Sequence, residues 1–483
     1  MLAKSRPTET WDPMSNKPAL RPGSGPPRGH SVCVASVRAT NAETGTHGSR
    51  AHSWQTAGGA RAWVSSSPWW LLKGPEFRRY FLASLSSNTG SWLQSTAQVV
   101  LAFQLTGSVA FVGVIVALQF GLVPFCSPVA AVLALRFGGR RVLLLTQLGS
   151  AVVAAAMAVC YAEGKLTAHV LAAGALLLGA GYALSLPLQV SLVPALVNPR
   201  EAEAALRMNS VSYNAGRALA PALSVLIIET YGAGYVFALN ALSFGILAWA
   251  IAVLRGRSGS LFPDSRPQII SYRARYFEGV RIALRHRRIL LLLAIVTAVT
   301  LADDPIQVLS PALTSAMHLS HYWTGLLIAA LGWGAVAGSV WPKAAAELDD
   351  SGAQRASKTA AIWLLVLAGS VVIFVAGVRP VDSLVAAAVA GVAGLFTGVA
   401  AQTPIVGRDY KSAASLGALW AISWAGTKPV ASLLDGWLAS RYGITTAAEV
   451  LVTPAVLIAI CELSFLPSWR RAIIDRTSVL ARV

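Results

Sequence analysis

A run of about twenty apolar residues is enough to cross a bilayer as a helix. Such runs recur twelve times along this chain, at 78–103, 109–134, 143–161, 167–189, 206–229, 235–254, 289–315, 322–342, 359–378, 381–403, 414–440 and 446–467. In lipid every backbone N–H and C=O must find its partner within the protein, so spans of this length fold as helices. The composition agrees: 55% of the 483 residues are hydrophobic and 12% are charged, where a soluble domain carries about 25%. The expected fold is an all-α polytopic membrane protein with twelve transmembrane helices in two six-helix bundles.

The net charge of +18 first suggests a nucleic-acid partner, but its distribution reports orientation instead. One set of connections carries Arg136, Arg140 and Arg141, Arg200 and Arg207, nine arginines from Arg255 to Arg288, and Lys343, Arg355, Lys358, Arg408 and Lys411. The segment after the last span adds Arg470, Arg471, Arg476 and Arg482, while the opposite side has only Lys165, Arg379 and Arg441. Basic residues gather on the cytoplasmic side, so both termini are expected there, in the inner or cytoplasmic membrane.

Residues 1–70 are a different material, rich in Ser, Gly, Pro, Arg and Thr without an apolar period, and are expected to form a disordered basic tail. No apolar core of a signal peptide stands there; the stretch is either a regulatory tail or lies upstream of the true start. The remaining expected boundaries are 71–254 for the first half, 255–288 for a basic cytoplasmic linker, 289–468 for the second half and 469–483 for a C-terminal tail. The four cysteines, Cys33, Cys126, Cys160 and Cys461, have no metal or redox spacing, and the three in spans are expected to be small buried hydrophobes.

The halves repeat. A shift of 211 residues carries Arg217 onto Lys428, Tyr231 onto Tyr442 and Gly232 onto Gly443, and a shift of 212 lays GVIVAL at 113 on GLLIAA at 325. Parallel six-helix repeats of this kind place a solute path between two bundles near the midplane.

The seventh span breaks its own rule by placing Asp303, Asp304 and Pro305 about halfway along, with Pro311 further on. A carboxylate at that depth costs ~2.5–3.5 kcal/mol on insertion scales, and lipid does not tolerate the interrupted backbone that a wet cavity does. Arg217 and Lys428 lie midway in spans five and eleven, beyond easy snorkelling reach. An economical pairing joins a cation to one aspartate and leaves the other carboxylate free to take a proton; static ion pairs that lock helices are the competing reading. Asp303 and Asp304 are thus proton-coupling candidates. Asp435, nearer the outer end of span eleven, stands behind them, with a solvated interfacial position as its plainer reading. Asn88, Gln94 and Gln98 fall near one face of the first span. With Asn214, Arg217 and Lys428 they are candidates to line a substrate cavity, although such residues also simply join helices by hydrogen bonds.

Nothing in the chain resembles an enzyme. It has no phosphate-cradling Gly-Lys-Ser/Thr loop and no His-Glu-x-x-His, and its seven histidines are not in paired ligand spacing. No cofactor and no metal are expected. Energy would come from an ion gradient or from the substrate's own gradient.

From Phe77 onward, SLSSNTGSWLQ at 84–94, LTGS at 105–108, PREAEAALRMNSVSYNAGRALAPAL at 199–223, and Gly-Thr-Lys-Pro with Asp-Gly-Trp-Leu between 426 and 438 resemble the major facilitator superfamily. The similarity is greatest to its drug and siderophore (enterobactin-type) exporter branch, the transmembrane secretion effectors. The resemblance implies alternating access and proton-coupled export of a small amphipathic molecule. It also implies a gating loop at Arg136, Gly138, Arg140 and Arg141. Two departures stand out. The loop's usual aspartate is Leu135 and its leading glycine is Ala131, and span five reads Ala220-Pro221-Ala222-Leu223-Ser224-Val225 where two glycines are usual. Uptake by symport and a non-transporting sensor or scaffold are the other readings. The expected partners are a small-molecule substrate, protons and the lipid bilayer, with no nucleic acid, and the protein is expected to be a monomer.

Overall fold

In the computed structural model, the residues described are 68–255, 280–340, 350–406, 419–420 and 423–480. A 3-10 turn, Pro68–Lys73, buries Leu71 and leads into α1, Pro75–Thr106. The first half continues with α2 (Val109–Phe120), α3 (Val123–Phe137), α4 (Gly139–Ala162), α5 (Ala168–Leu192), α6 (Ala202–Tyr231) and α7 (Ala233–Val253). The second half comprises α8 (Arg287–Ala316), α9 (His321–Val340), α10 (Asp350–Ala376), α11 (Pro380–Val406), α12 (Thr427–Tyr442) and α13 (Ile444–Leu480). Counting α2 and α3 as one bent span gives the twelve crossings read from the sequence. Nine helices among the described residues are long and apolar enough to cross a membrane by that measure alone; α1 falls short because its buried face carries Ser84, Ser87, Gln94, Thr96 and Gln98.

Several boundaries differ from expectation for local reasons. The second span is interrupted at Gly121 and Leu122 because Pro124, in the first turn of α3, has no N–H to continue the ladder. Span eleven turns at Gly426, ahead of Pro429, for the same reason. Helix α13 runs on to Leu480, so 469–480 continues the last helix rather than forming a separate tail. The expected disordered tail, apart from its last three residues, and most of the linker (256–279) lie outside the described residues. Ser67–Val483 form one compact unit, so the two halves do not separate into independent domains.

The repeat survives in the backbone. Helices α6 and α12 end alike: Gly232 (φ 90°, ψ 159°) and Gly443 (φ 92°, ψ 162°) adopt the same left-sided conformation, which a residue with a Cβ rarely takes. The halves also meet through two equivalent contacts. A Cβ on Gly113 of α2 would lie 2.2 Å from the Ser432 carbonyl oxygen of α12, and one on Gly325 of α9 would lie 2.5 Å from the Pro221 carbonyl oxygen of α6. Under the same shift Pro221 falls on Ser432. The two glycines expected in α6 are missing, and their role passes to the facing helix: Gly325 and Gly332 of α9 let the backbones approach. Large side chains such as Leu145 (68%) and Trp249 (62%) point outward, as residues bathed in lipid do. Cys126 and Cys160 are half-buried and Cys461 is exposed, so none is the buried filler expected.

Candidate functional site

Between the halves lies a cavity of about 490 Å³, within the size range of sites that hold small organic molecules. It is closed at the end where α6 runs into α7 and α12 into α13. There the two glycine contacts are joined by Tyr322, whose backbone N–H donates to Glu229 Oε1 at 2.9 Å. The cavity reaches the other way to Gln189, Val190, Ser210 and Val399, toward the end that carries the basic connections.

Its two walls are chemically unlike. The second half contributes mainly small and aliphatic groups, among them Val296, Leu331, Ala390, Gly391, Gly394 and Gly398. The first half contributes amides and hydroxyls. Asn240 Nδ2 donates to Gln94 Oε1 at 2.7 Å, and Gln94 Nε2 lies 3.4 Å from the Met157 sulfur. The Ser95 hydroxyl donates to Gln119 Oε1 at 2.8 Å, and Gln119 Nε2 donates to Gln98 Oε1 at 2.9 Å. Among the described residues this relay ends open: Gln98 Nε2 and, on α4, Gln147 Oε1 have no hydrogen-bond partner. Each side chain is only 2% exposed, and a buried polar atom left unpaired costs ~1–3 kcal/mol. The expected cavity residues Asn88, Gln94, Gln98 and Asn214 all line this space. They join helices as well: Asn88 Nδ2 donates to Ser212 Oγ on α6 at 3.0 Å, and Asn214 Nδ2 to its own helix at Ser210 O. Both readings of these residues hold at once.

Aromatic rings stand between the cavity and the deeper part of a charged cluster nearer the closed end, while Arg217 and Asp303 of that cluster reach the cavity wall. Trp92 meets Tyr213 edge-on at 5.7 Å and Phe120 meets Tyr182 at 6.1 Å. A small space of about 40 Å³ touches these four rings as well as Arg217, Asp303 and Lys428. The four charges expected at one depth do converge, but they pair fully rather than leaving one carboxylate free. Arg217 Nη2 lies 3.4 Å from Asp303 Oδ2, with both side chains partly exposed (24% and 17%). Lys428 Nζ lies 2.5 Å from Asp304 Oδ1, and Asp304 is wholly buried. The Ser432 hydroxyl donates to the same Oδ1 at 3.1 Å, one turn along α12 from Lys428, and among the described residues Asp304 Oδ2 has no hydrogen-bond partner. Adjacent residues on a helix point ~100° apart, which is why Asp303 turns to the cavity and α6 while Asp304 turns to α12.

Asp435 corrects a reading of the sequence. It does not sit in an interfacial, solvated position: it is 0% exposed, and neither carboxyl oxygen has a hydrogen-bond partner among the described residues. Packing of α2 against α12 at Gly436, where an added Cβ would meet Val109 O at 2.8 Å, seals this part of the helix from solvent.

The loop after α3 is held differently from the resemblance. Gly138 caps both α3 and α4 at φ 86°. Arg140 donates to the Ala252 carbonyl of α7, and the Arg136 guanidinium lies over the Phe137 ring at 5.3 Å. With no carboxylate at Leu135, which is exposed, the backbone of α7 provides an acceptor for Arg140.

Sequence reasoning missed Gln119, Gln147 and Asn240. Each is an isolated amide in an otherwise apolar stretch (VIVALQF, LLLTQLG, FALNALS), and a lone polar residue in a span is a signal of an interior position. The aromatic layer had no such signal, since a ring in a span is ordinary.

The helical arrangement has solved counterparts. The nucleoside transporter NupG superposes with a TM-score of 0.63 at 12% identity, covering 81% of this chain and 99% of that one. A POT family transporter in complex with 5-aminolevulinic acid gives 0.61 at 14% identity, covering 81% and 96%. A bacterial homolog of the human lysosomal transporter Spinster, in an inward-facing and occupied conformation, gives 0.60 at 12%, covering 82% and 97%. At such identities the likeness is one of fold. No curated protein is a sequence match for the chain. The sequence itself, over residues 66–476, matches the family described as transmembrane secretion effector, and the chain belongs to that family of the major facilitator superfamily.

Proposed function

We propose that this protein exports a small amphipathic organic molecule across the cytoplasmic membrane, by alternating access and in exchange for protons. A transport role is supported by the cavity between two pseudo-equivalent halves, closed at one end by equivalent helix contacts. Export is supported by membership of the secretion effector family, and the cavity reaches toward the basic connections, which the distribution of arginines assigns to the cytoplasm, with both termini. An exporter loads its substrate from that side.

The observation that carries proton coupling is the cluster of three carboxyls, Asp303, Asp304 and Asp435, served by two cations, Arg217 and Lys428. Asp303 faces the cavity and is reached by water and substrate. Asp304 is bound to Lys428 across α8 and α12, helices of the same half, so its charge state bears on how α12 packs against α2 at the closed end. Protonation of one acid would loosen an ion pair that deprotonation restores, giving the site two states for proton and substrate to occupy in turn.

Flux in inverted vesicles tests the reading. A proton gradient drives accumulation if the protein is an exporter, drives the reverse if it is a symporter for uptake, and has no effect on a scaffold. Asp304→Asn should abolish proton-driven flux while retaining substrate binding, and Asp303→Asn should be milder. Full proton-driven transport by both variants would leave the pair a structural lock and overturn this assignment.

A further inference from the structure

The contact of α2 with α12 closes over a carboxyl. Resting on the proton-exchange reading above, we infer that Asp435 is where the transported proton enters: it binds a proton from external water while this contact is open, and the contact then shuts over it. The seal on its outer side is thin. A Cβ on Gly436, the next residue, would meet Val109 O at 2.8 Å and Ala110 Cα at 3.0 Å. Val109 is the first residue of α2, and the stretch before it, Gln104 to Gly107, is exposed. Asp435 thus lies level with the outermost turn of α2, and its complete burial depends on the two backbones touching there.

Neither carboxyl oxygen has a hydrogen-bond partner among the described residues, and an ionised carboxylate left so in a dry contact is far costlier than the neutral acid. The helices packed against α12 are α2, α8 and α13. Helix α2 carries no titratable residue, and α13 has Glu449 in its outer turns, where it is exposed. Helix α8 supplies Asp303 and Asp304. The charges that act on Asp435 are Asp304 and, from its own helix, Lys428, and Lys428 is already held by Asp304 at 2.5 Å. Among the described residues no cation is left to keep Asp435 ionised while the contact is shut. Opened to water, the same side chain is an ordinary aspartate, which ionises above ~3.9. Closing the contact therefore takes up one proton, and takes it from the side that is closing.

A route inward continues from there. Ser432, one turn inward on α12, donates to Asp304 Oδ1, and Asp304 Oδ2 has no partner among the described residues. Lys428, a further turn inward, lines the space of about 40 Å³ together with Arg217 and Asp303, which is room for about three waters. Arg217 and Asp303 in turn reach the cavity wall, so the acids run in the order Asp435, Asp304, Asp303 from the outer contact to the open cavity. The equivalent contact of α6 with α9 has no such group, because Ser224 stands where the repeat sets Asp435. The other carboxyl that bears on this face is Glu229, which is exposed and ties the halves by accepting from the Tyr322 N–H. Protonating Glu229 would weaken closure, while protonating Asp435 permits it, so the two responses differ in sign.

The experiment uses the full-length chain in lipid nanodiscs, with Cys33, Cys126, Cys160 and Cys461 replaced by serine. Spin labels go on Gln104→Cys and Ser440→Cys, exposed positions at the outer ends of α1 and α12. Pulsed electron resonance then reads the closed and open populations of the outer face across about pH 5 to 8. One proton taken up on closure should shift the ratio toward closed on the order of tenfold for each unit fall in pH. Asp435→Asn, isosteric and without a titrating proton, should flatten that dependence and keep the closed population high throughout, and the closed-state distance itself reports that the variant is folded. Glu229→Gln keeps an acceptor for Tyr322 and should retain the slope; its loss there would assign the response to Glu229 and overturn the inference. A ratio independent of pH in the labelled parent overturns it without any variant, as does an unchanged slope in Asp435→Asn. Flux in inverted vesicles separates the two proposals. A slope that depends on Asp435 without proton-driven flux sinks proton exchange alone, and proton-driven flux with a flat closure equilibrium sinks this inference alone.

Discussion

The contact of α6 with α9 and the contact of α12 with α2 are the same piece of architecture used twice, yet their chemistry differs. Both bring helices together at a glycine opposite a carbonyl, Gly325 against Pro221 and Gly113 against Ser432. Both place a cation one turn earlier, Arg217 and Lys428. On the α6 side the next equivalent residue, Ser224, is buried and satisfied, its hydroxyl donating to the Leu93 carbonyl of α1 at 2.7 Å. On the α12 side the residue that the repeat sets opposite Ser224 is Asp435, and the one it sets opposite Leu93 is Asp304. A hydroxyl and a leucine in one half have become two buried carboxyls in the other. The repeat thus keeps the packing surface in both halves, while the buried carboxyls at these equivalent places stand in the second half alone. A fully satisfied contact has one stable state. A contact holding a carboxyl with no partner has at least two, with and without a proton, and a cyclic device needs the second kind.

Removing the cations should sharpen that difference most. Lys428→Ala leaves Asp304 buried and unpaired, which costs ~3–5 kcal/mol for a broken buried pair. Arg217→Ala frees Asp303, whose side chain is partly exposed (17%) on the cavity wall where water can serve it, so about 1 kcal/mol is expected there. Thermal unfolding in detergent should separate the two variants clearly, and equal losses would mean that both sites are equally wet. The glycines should behave alike. Gly113→Ala and Gly325→Ala each drive a methyl into a carbonyl oxygen of the facing helix, and each should cost ~1–3 kcal/mol as overpacking does, with transport impaired to the same degree. Strong damage from one and none from the other would break the equivalence of the two contacts.

Restoring symmetry should be gentler. Asp435→Ser copies the residue at the equivalent place in the first half. It removes an unpartnered carboxyl and should leave stability unchanged or raise it by ~1 kcal/mol, while the response of flux to an imposed proton gradient falls. Unaltered proton dependence would confine coupling to Asp303 and Asp304. The smallest effect is expected from deleting residues 1–65. The family match begins at residue 66, so insertion and transport should match those of the full chain, and lost flux in a variant that still reaches the membrane would reveal a function for residues 1–65.

Apolar run length and the need to satisfy every backbone group within lipid determine twelve helices wherever they pack, so the architecture was legible in the linear chain. The repeat was legible too, because equivalent places keep equivalent residues, down to Tyr231–Gly232 and Tyr442–Gly443. The four charges at mid-depth could be picked out one at a time, since an ion in a span must have a reason to be there. Their partners could not. Which aspartate meets which cation depends on how α8 is rotated against α6 and α12, and a rotation of ~100° exchanges the two carboxyls. Burial of Asp435 is likewise a property of the α2–α12 contact, decided by Gly113 and Gly436, residues remote from it in sequence or without a side chain of their own. The amide layer is the same case: Gln119, Gln147 and Asn240 each signal an interior position as lone amides in apolar spans, but not which neighbours they face. Only the packing of α1 against α2 and α7, and of α7 against α4, turns isolated polar residues into one wall of a site. Local patterns fix what a segment must be, while long-range packing fixes what each side chain faces, and it is the second that sets the chemistry of the cavity.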